Sequence, residues 1–244
     1  MRIHQIVFSV LMLATATPLT LQAAAPDGAK TAALRQTLEA RFPDIPVLDV
    51  KPAPVPGWYE VFTGEAIAYA DESGDHLLLG SMMDTRTKLN LTNASMDAHN
   101  SIDFATLPFA QSIEVVKGRG TREIAVFSDP DCPFCQKLEH ELASVDDVKV
   151  HIFLYPLTSL HPDARTKAHA IWCAQDRPQA WVEWMREGKL REAVSCESDP
   201  IDELHTLGQK LRINSTPTIF TASGHRISSA LSAAELERLL ADKR

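Results

Sequence analysis

Past its opening residues the chain has no run of the roughly 18 consecutive apolar residues that a membrane-spanning helix needs. Its nine histidines form no HExxH or HxxxH pair, so metal catalysis of that helical kind has no support. Basic residues are outnumbered, 24 Lys and Arg against 32 Asp and Glu, which argues against nucleic acid as a partner. No internal repeat or low-complexity block stands out. With 45% hydrophobic residues, the composition is that of a folded core rather than of a disordered chain. Cysteine is scarce: Cys132, Cys135, Cys173 and Cys196 are the only four, and four cysteines admit three pairings.

What is present begins with MRIHQIVFSVLMLATATPLTLQAAA. A basic residue, an apolar stretch broken by Thr15, Thr17 and Pro18, and a run of small residues at Ala23–Ala25 predict a secretory signal peptide over residues 1–25. Its removal takes away one basic residue, Arg2, and no acid, leaving 23 basic against 32 acidic residues and a balance of −9. The remaining chain of about 220 residues suits one large domain or two smaller ones. Export also changes what cysteine means, because disulfides persist in oxidising compartments.

The punctuation of the chain divides it. KTAALRQTLEARF predicts a short amphipathic helix stopped by Pro43, and KPAPVPG from Lys51 reads as a Pro-rich linker. Short β-prone runs follow at Trp58–Phe62, Ala66–Ala70 and His76–Leu79, separated by turn sequences. They predict a small antiparallel sheet with too little core to stand alone, suited to pairing with a second copy or to packing elsewhere. We expect an N-terminal domain over 26–91, a connector over 92–117 and a second domain over 118–244. In the last, EIAVFSD and VKVHIFLY read as strands, and CQKLEHELASV, ARTKAHAIWCA, PQAWVEWMREG and IDELHTLGQKLR as helices. PTIFTASGHRI reads as a hairpin turning at Ser223-Gly224, and SAAELERLLADK as a helix with a Ser232/Glu235 capping box. This alternation predicts a mixed sheet covered by helices, of class α+β or α/β.

Chemistry concentrates at FSDPDCPFCQKLEHEL. Cys132 follows a strand and opens a helix, where unpaired N–H groups and the positive end of the helix dipole favour a thiolate. Cys135, one turn further in, is placed to attack a mixed disulfide formed on Cys132. Pro133 suits the first helical turn, and Phe134 cannot donate a hydrogen bond to the thiolate, so less stabilisation of the reduced form is expected than with a His there. Asp129 and Asp131 are expected to oppose ionisation. A C-x-x-C pair is also found as half of a zinc site or as a staple. Zinc is disfavoured because Cys173 and Cys196 lie 23 positions apart, and a staple because so short a loop adds little chain-entropy stabilisation. Cys173 and Cys196 read as a structural disulfide whose loop contributes on the order of 3 kcal/mol. Pro217 opens a strand, where an ordinary trans proline is the plain expectation. His140 reads as a solvated residue, and Trp172, Trp181 and Trp184 as core.

In their order, VFSDPDCPFCQKLEHEL, AIWCAQD and STPTIF resemble the C-terminal thioredoxin-like domain of the periplasmic disulfide isomerase family, DsbC and its relative DsbG. GEAIAYADESGDHLLLGSMMDTRTKLNLTN resembles that family's N-terminal dimerisation domain. The resemblance implies a thioredoxin-like domain with a helical insertion, preceded by a cystatin-like α+β domain. It implies Cys132 as nucleophile, Cys135 as resolving thiol, Cys173–Cys196 as structural disulfide, and Pro217 as a cis-proline facing the pair. Thr216 and Pro217, with Pro133 and Phe134, would then bind an extended substrate segment by strand addition. It further implies a homodimer in the periplasm acting on misfolded disulfide-containing secreted proteins. A membrane thiol reductant of the DsbD type would keep it reduced, and no cofactor or metal is needed beyond the redox-active cysteines. Two departures stand out: Pro133-Phe134 is nearer the Pro-Tyr of DsbG than the Gly-Tyr of DsbC. Val126 replaces the buried Asp of thioredoxin, so another group or water must take the Cys135 proton.

The leading expectation is a thiol:disulfide interchange enzyme that isomerises or reduces wrong disulfides. The alternatives are a dithiol oxidase, in which the N-terminal region has no evident task, and a client-binding chaperone, in which the cysteines matter little.

Overall fold

The computed structural model describes residues 27–191, 196 and 198–241; the expected signal peptide lies outside the described residues. Contacts divide the chain into two units that meet at Leu78 and Leu79. No helix among the described residues is long and apolar enough to cross a membrane.

In the first unit, helix α1 (Asp27–Arg41) sits against strands β1 (Asp49–Pro52), β2 (Trp58–Phe62), β3 (Ile67–Asp71) and β4 (Leu77–Leu79), which form one sheet in that order. Leu34 and Leu38, one turn apart on α1, close a small core with Val47, Val50, Tyr59, Val61 and Ala70. The stretch expected as a Pro-rich linker is instead strand β1 and its hairpin, with Val50 opposite Val61 and Pro52 opposite Tyr59. Proline is admitted there because β1 is an edge strand. At the other edge, β4 presents Leu77, Leu78 and Leu79 to solvent, 41%, 48% and 80% exposed.

The second unit opens with the two-residue hairpin strands β5 (Met83–Asp84) and β6 (Leu89–Asn90) and helix α2 (Leu91–Asn100), capped by the Asn90 side chain. The stretch expected as connector therefore contains a helix, and its end is strand β7 (Ile113–Lys117), paired antiparallel with β9 (Val148–Leu154). The sheet reaches back to residue 113, before the expected start at 118, because Ile113 fills the core that β9 leaves open at its edge. Strand order is β11 (Arg226–Ile227), β10 (Thr218–Thr221), β8 (Arg122–Ser128), β9, β7. β8 and β9 run parallel, and β10 lies antiparallel to β8.

Alternation along β8 sets the layers. Ile124 and Val126 point into one core with Leu138, Trp181 and Leu236, while Ala125 and Phe127 point into another with Phe153, Tyr155, Leu204 and Phe220. Both faces are buried, as the near-continuous apolar sequence of a parallel strand requires. Five helices cover them: α3 (Pro133–Leu142), α4 (Ala164–Trp172), α5 (Arg177–Glu187), α6 (Ile201–Lys210) and α7 (Ala233–Ala241). Three of them, α4, α5 and α6, lie between β9 and β10, and the disulfide between Cys173 and Cys196 joins the end of α4 to the segment before α6. The capping box of α7 is made, with Ser232 N donating to Glu235 Oε2 at 2.8 Å. The hairpin turns at Gly224, whose φ of +84° and closeness to the Ile102 carbonyl exclude any Cβ. At the far end of α3 the Lys117 ammonium, reaching over from β7, donates to the carbonyls of Leu142, Ala143 and Val145 at 2.9, 2.6 and 2.5 Å.

Candidate functional site

Strand β8 ends at Ser128, and Asp129–Asp131 carry the chain into α3 with Cys132 as its N-cap and Pro133 in the first turn. Cys132 adopts extended angles (φ −77°, ψ 121°), and its carbonyl accepts from the Cys135 and Gln136 amides at 3.0 and 3.1 Å. The sulfur therefore sits at the amino end of a helix. Cys132 is 5% and Cys135 1% exposed, both as free thiols, whereas Phe134 beside them is 64% exposed. From the start of β10, the Thr216 carbonyl lies 3.4 Å from Cys132 Sγ, and the Thr216–Pro217 peptide is cis. The Thr216 hydroxyl is buried without a hydrogen-bond partner among the described residues.

These surroundings separate the two thiols. The Cys135 thiol donates to the Cys132 sulfur, and with the amides of Cys135 and Phe134 it outweighs burial, lowering the Cys132 pKa from 9.0 to about 5. Cys135 is pushed the other way, first by burial and then by its bond to Cys132, against weaker help from Ser128 and the Asp129 amide. One cysteine is thus a thiolate at neutral pH while the other keeps its proton.

Around the pair stand residues that sequence reasoning missed or read differently. Asp129 is fully buried, and its Oδ2 accepts from Leu157 N at 2.7 Å and pairs with His161 Nδ1 at 2.9 Å. Asp131 is held by Lys167 at 2.7 Å, and Lys167 also lies over the Trp184 ring. The expectation that these two acids oppose ionisation of Cys132 did not include the partners each of them meets, His161 and Lys167. Trp184, expected in the core, is half-buried and donates to the Pro130 carbonyl at 2.7 Å. His161 and Lys167 follow the pair by 29 and 35 positions, and no periodicity in the sequence connects them to it.

The CxxC pair, Thr216 and Pro217 are thus gathered at one end of the sheet. Cys173 and Cys196 are bonded to each other, so a zinc site shared by all four cysteines loses half its ligands. His169 comes within ligand distance of those two sulfurs, but neither is available as a thiolate. Its Nδ1 is held by Asp199 at 2.6 Å.

The chain is similar to known proteins over both units. Residues 22–93 match the profile of the disulfide bond isomerase protein N-terminal domain, and residues 109–244 that of a thioredoxin-like domain. A probable thiol:disulfide interchange protein DsbC of Bordetella avium is 36% identical over 221 residues, covering 91% of this chain and 78% of that protein. The thiol:disulfide interchange protein DsbC of Escherichia coli K12 is 29% identical over 217 residues, covering 87% of this chain and 88% of that one. A crystal structure of a disulfide interchange protein from Neisseria gonorrhoeae superposes with a TM-score of 0.53 at 41% identity, covering 55% of this chain and 96% of the other.

Proposed function

From the premise that this chain belongs to the DsbC family of thiol:disulfide interchange proteins, we propose that Cys132 attacks incorrect disulfides in exported proteins and that Cys135 resolves the product. The observation that carries this is the Cys132 sulfur at the amino end of α3, beside the buried Cys135 thiol and the Thr216 carbonyl, a position that holds its pKa low. The thiolate attacks one sulfur of a client disulfide; the client S–S bond breaks, a Cys132–client bond forms, and the other client sulfur leaves as thiolate. A second client thiolate then attacks the client sulfur of this mixed disulfide and releases Cys132, which rearranges the client without net electron transfer. Alternatively Cys135 gives up its proton and attacks Cys132, releasing a reduced client and passing it two electrons. A dithiol reductant of the DsbD type then restores the Cys132–Cys135 pair, and no cofactor enters.

Thr216, Pro217, Pro133 and Phe134 form the surface on which an extended client segment docks, with the exposed Phe134 as its apolar contact. Cys173–Cys196 serves as a structural tie. The first unit dimerises, and the edge strand β4 with its three exposed leucines is the surface that supports this. The protein acts in the periplasm after loss of residues 1–25.

Refolding of a client with scrambled disulfides tests the reading. Wild type should restore native pairing, and Cys135→Ala should do so while accumulating mixed disulfides. A wild-type protein that oxidises reduced client but never rescues scrambled client overturns it.

A further inference from the structure

With Val126 in β8, the buried acid nearest the cysteines is Asp129, three residues further along. Its main chain touches both: the Asp129 carbonyl accepts from Cys132 N at 3.2 Å, and the Asp129 amide lies 3.5 Å from Cys135 Sγ. Its carboxylate accepts from Asp131 N at 2.8 Å and Leu157 N at 2.7 Å, and His161 Nδ1 completes the set at 2.9 Å. Three donors, two of them amides, converge on this carboxylate. A buried carboxylate without a countercharge is costly, and one beside a thiolate raises the thiol's proton affinity. Of the other charges facing this corner, Asp131 is occupied by Lys167, so the countercharge left for Asp129 is His161. The His161 side chain is 24% exposed and can take its proton from solvent.

We infer that His161 is a positioning residue for the exchange reaction: its imidazolium neutralises the Asp129 carboxylate and holds the Asp129 main chain against both cysteines, so that the Cys132 thiolate forms without an unbalanced negative charge behind it. The inference rests on Cys132 being the attacking thiol and names what tunes it. The direction of the His161 pKa agrees: it is raised, first by the bond to Asp129 and then, against burial, by the charges of Asp129, Cys132 and Asp131.

The pH profile of Cys132 alkylation in the reduced full-length protein tests this, with the modified peptide identified by mass and thermal unfolding followed on each variant. Wild type should be half-reactive near pH 5. His161→Gln keeps a hydrogen-bond donor but cannot carry charge; it should move the midpoint up by about one pH unit, roughly a tenfold loss of reactivity on the acid limb. His161→Lys, which keeps a cation, should restore much of the shift. In an Asp129→Asn background, where there is no charge to neutralise, His161→Gln should move nothing. A His161→Gln profile superposed on wild type, even with a lowered melting temperature, overturns the inference, as does a shift that persists in the Asp129→Asn background. If wild type itself titrates in the ordinary thiol range, the exchange reading falls along with it.

Discussion

At the scale of the residue, the low proton affinity of Cys132 has a consequence for stability. The folded thiol ionises near pH 5 against 9.0 ordinarily, so ionisation favours the folded reduced protein. The gain is complete above about pH 9 and disappears as pH falls through about 5. Urea unfolding of the reduced protein should therefore show stability declining over that window, and a Cys132→Ser variant should lose this slope. His161 has the opposite sign: its raised pKa contributes stability that is complete below about 6.5 and is lost as pH rises past its folded value. A second buried ion pair makes a sharper case. Glu139 is 4% exposed and is shared by Arg186 at 2.7 Å and Trp181 Nε1 at 3.1 Å. Arg186→Met strands that carboxylate and should cost about 3 kcal/mol in urea unfolding, with Glu139→Gln costing less. Of all this, the sequence made legible what is local: the C-x-x-C spacing, the strand before it and the proline after it. The partners of Asp129, Asp131 and Glu139 come from α4, α5 and the turn after β9. Pairs brought together by a fold leave no mark on either segment alone.

At the scale of the element, the helices and paired strands from Arg122 onward followed from 3.6- and 2-residue periodicities, and the Ser232 capping box was readable residue by residue. Elements carried by neighbours were not. β1 includes a proline and β7 borders a polar stretch; each is a strand because an adjacent strand offers it a ladder. α6 gives a test in which packing should reverse a propensity. Gly208→Ala in an open helix gains up to about 1 kcal/mol. Here the new Cβ would lie 2.2 Å from Tyr155 Cε2, and that ring is stacked on His205 and tied through its hydroxyl to the Ile213 carbonyl at 3.1 Å. The substitution should destabilise by about 2 kcal/mol in urea unfolding rather than stabilise.

At the scale of the whole molecule, a separate small sheet was legible from its turns, and so was the shortage of core that makes it want a partner. Which strand lies open at its edge was not, because Leu77–Leu79 reads as any buried strand until the sheet order puts it at an edge. Leu79→Glu should leave the first unit folded, since this side chain is 80% exposed. It should halve the mass found by light scattering; an unchanged mass would remove β4 from the dimer surface. The three bonds from Lys117 to the end of α3 bear on the chemistry from the opposite direction. They moor one end of a ten-residue helix to a sheet strand while Asp129 moors the other, so the reactive sulfur is the tip of a strut fixed at both ends. Such a tip does not travel to meet a disulfide. The disulfide must come to it, and chains loose enough to bring their sulfurs within reach are those that have not finished folding.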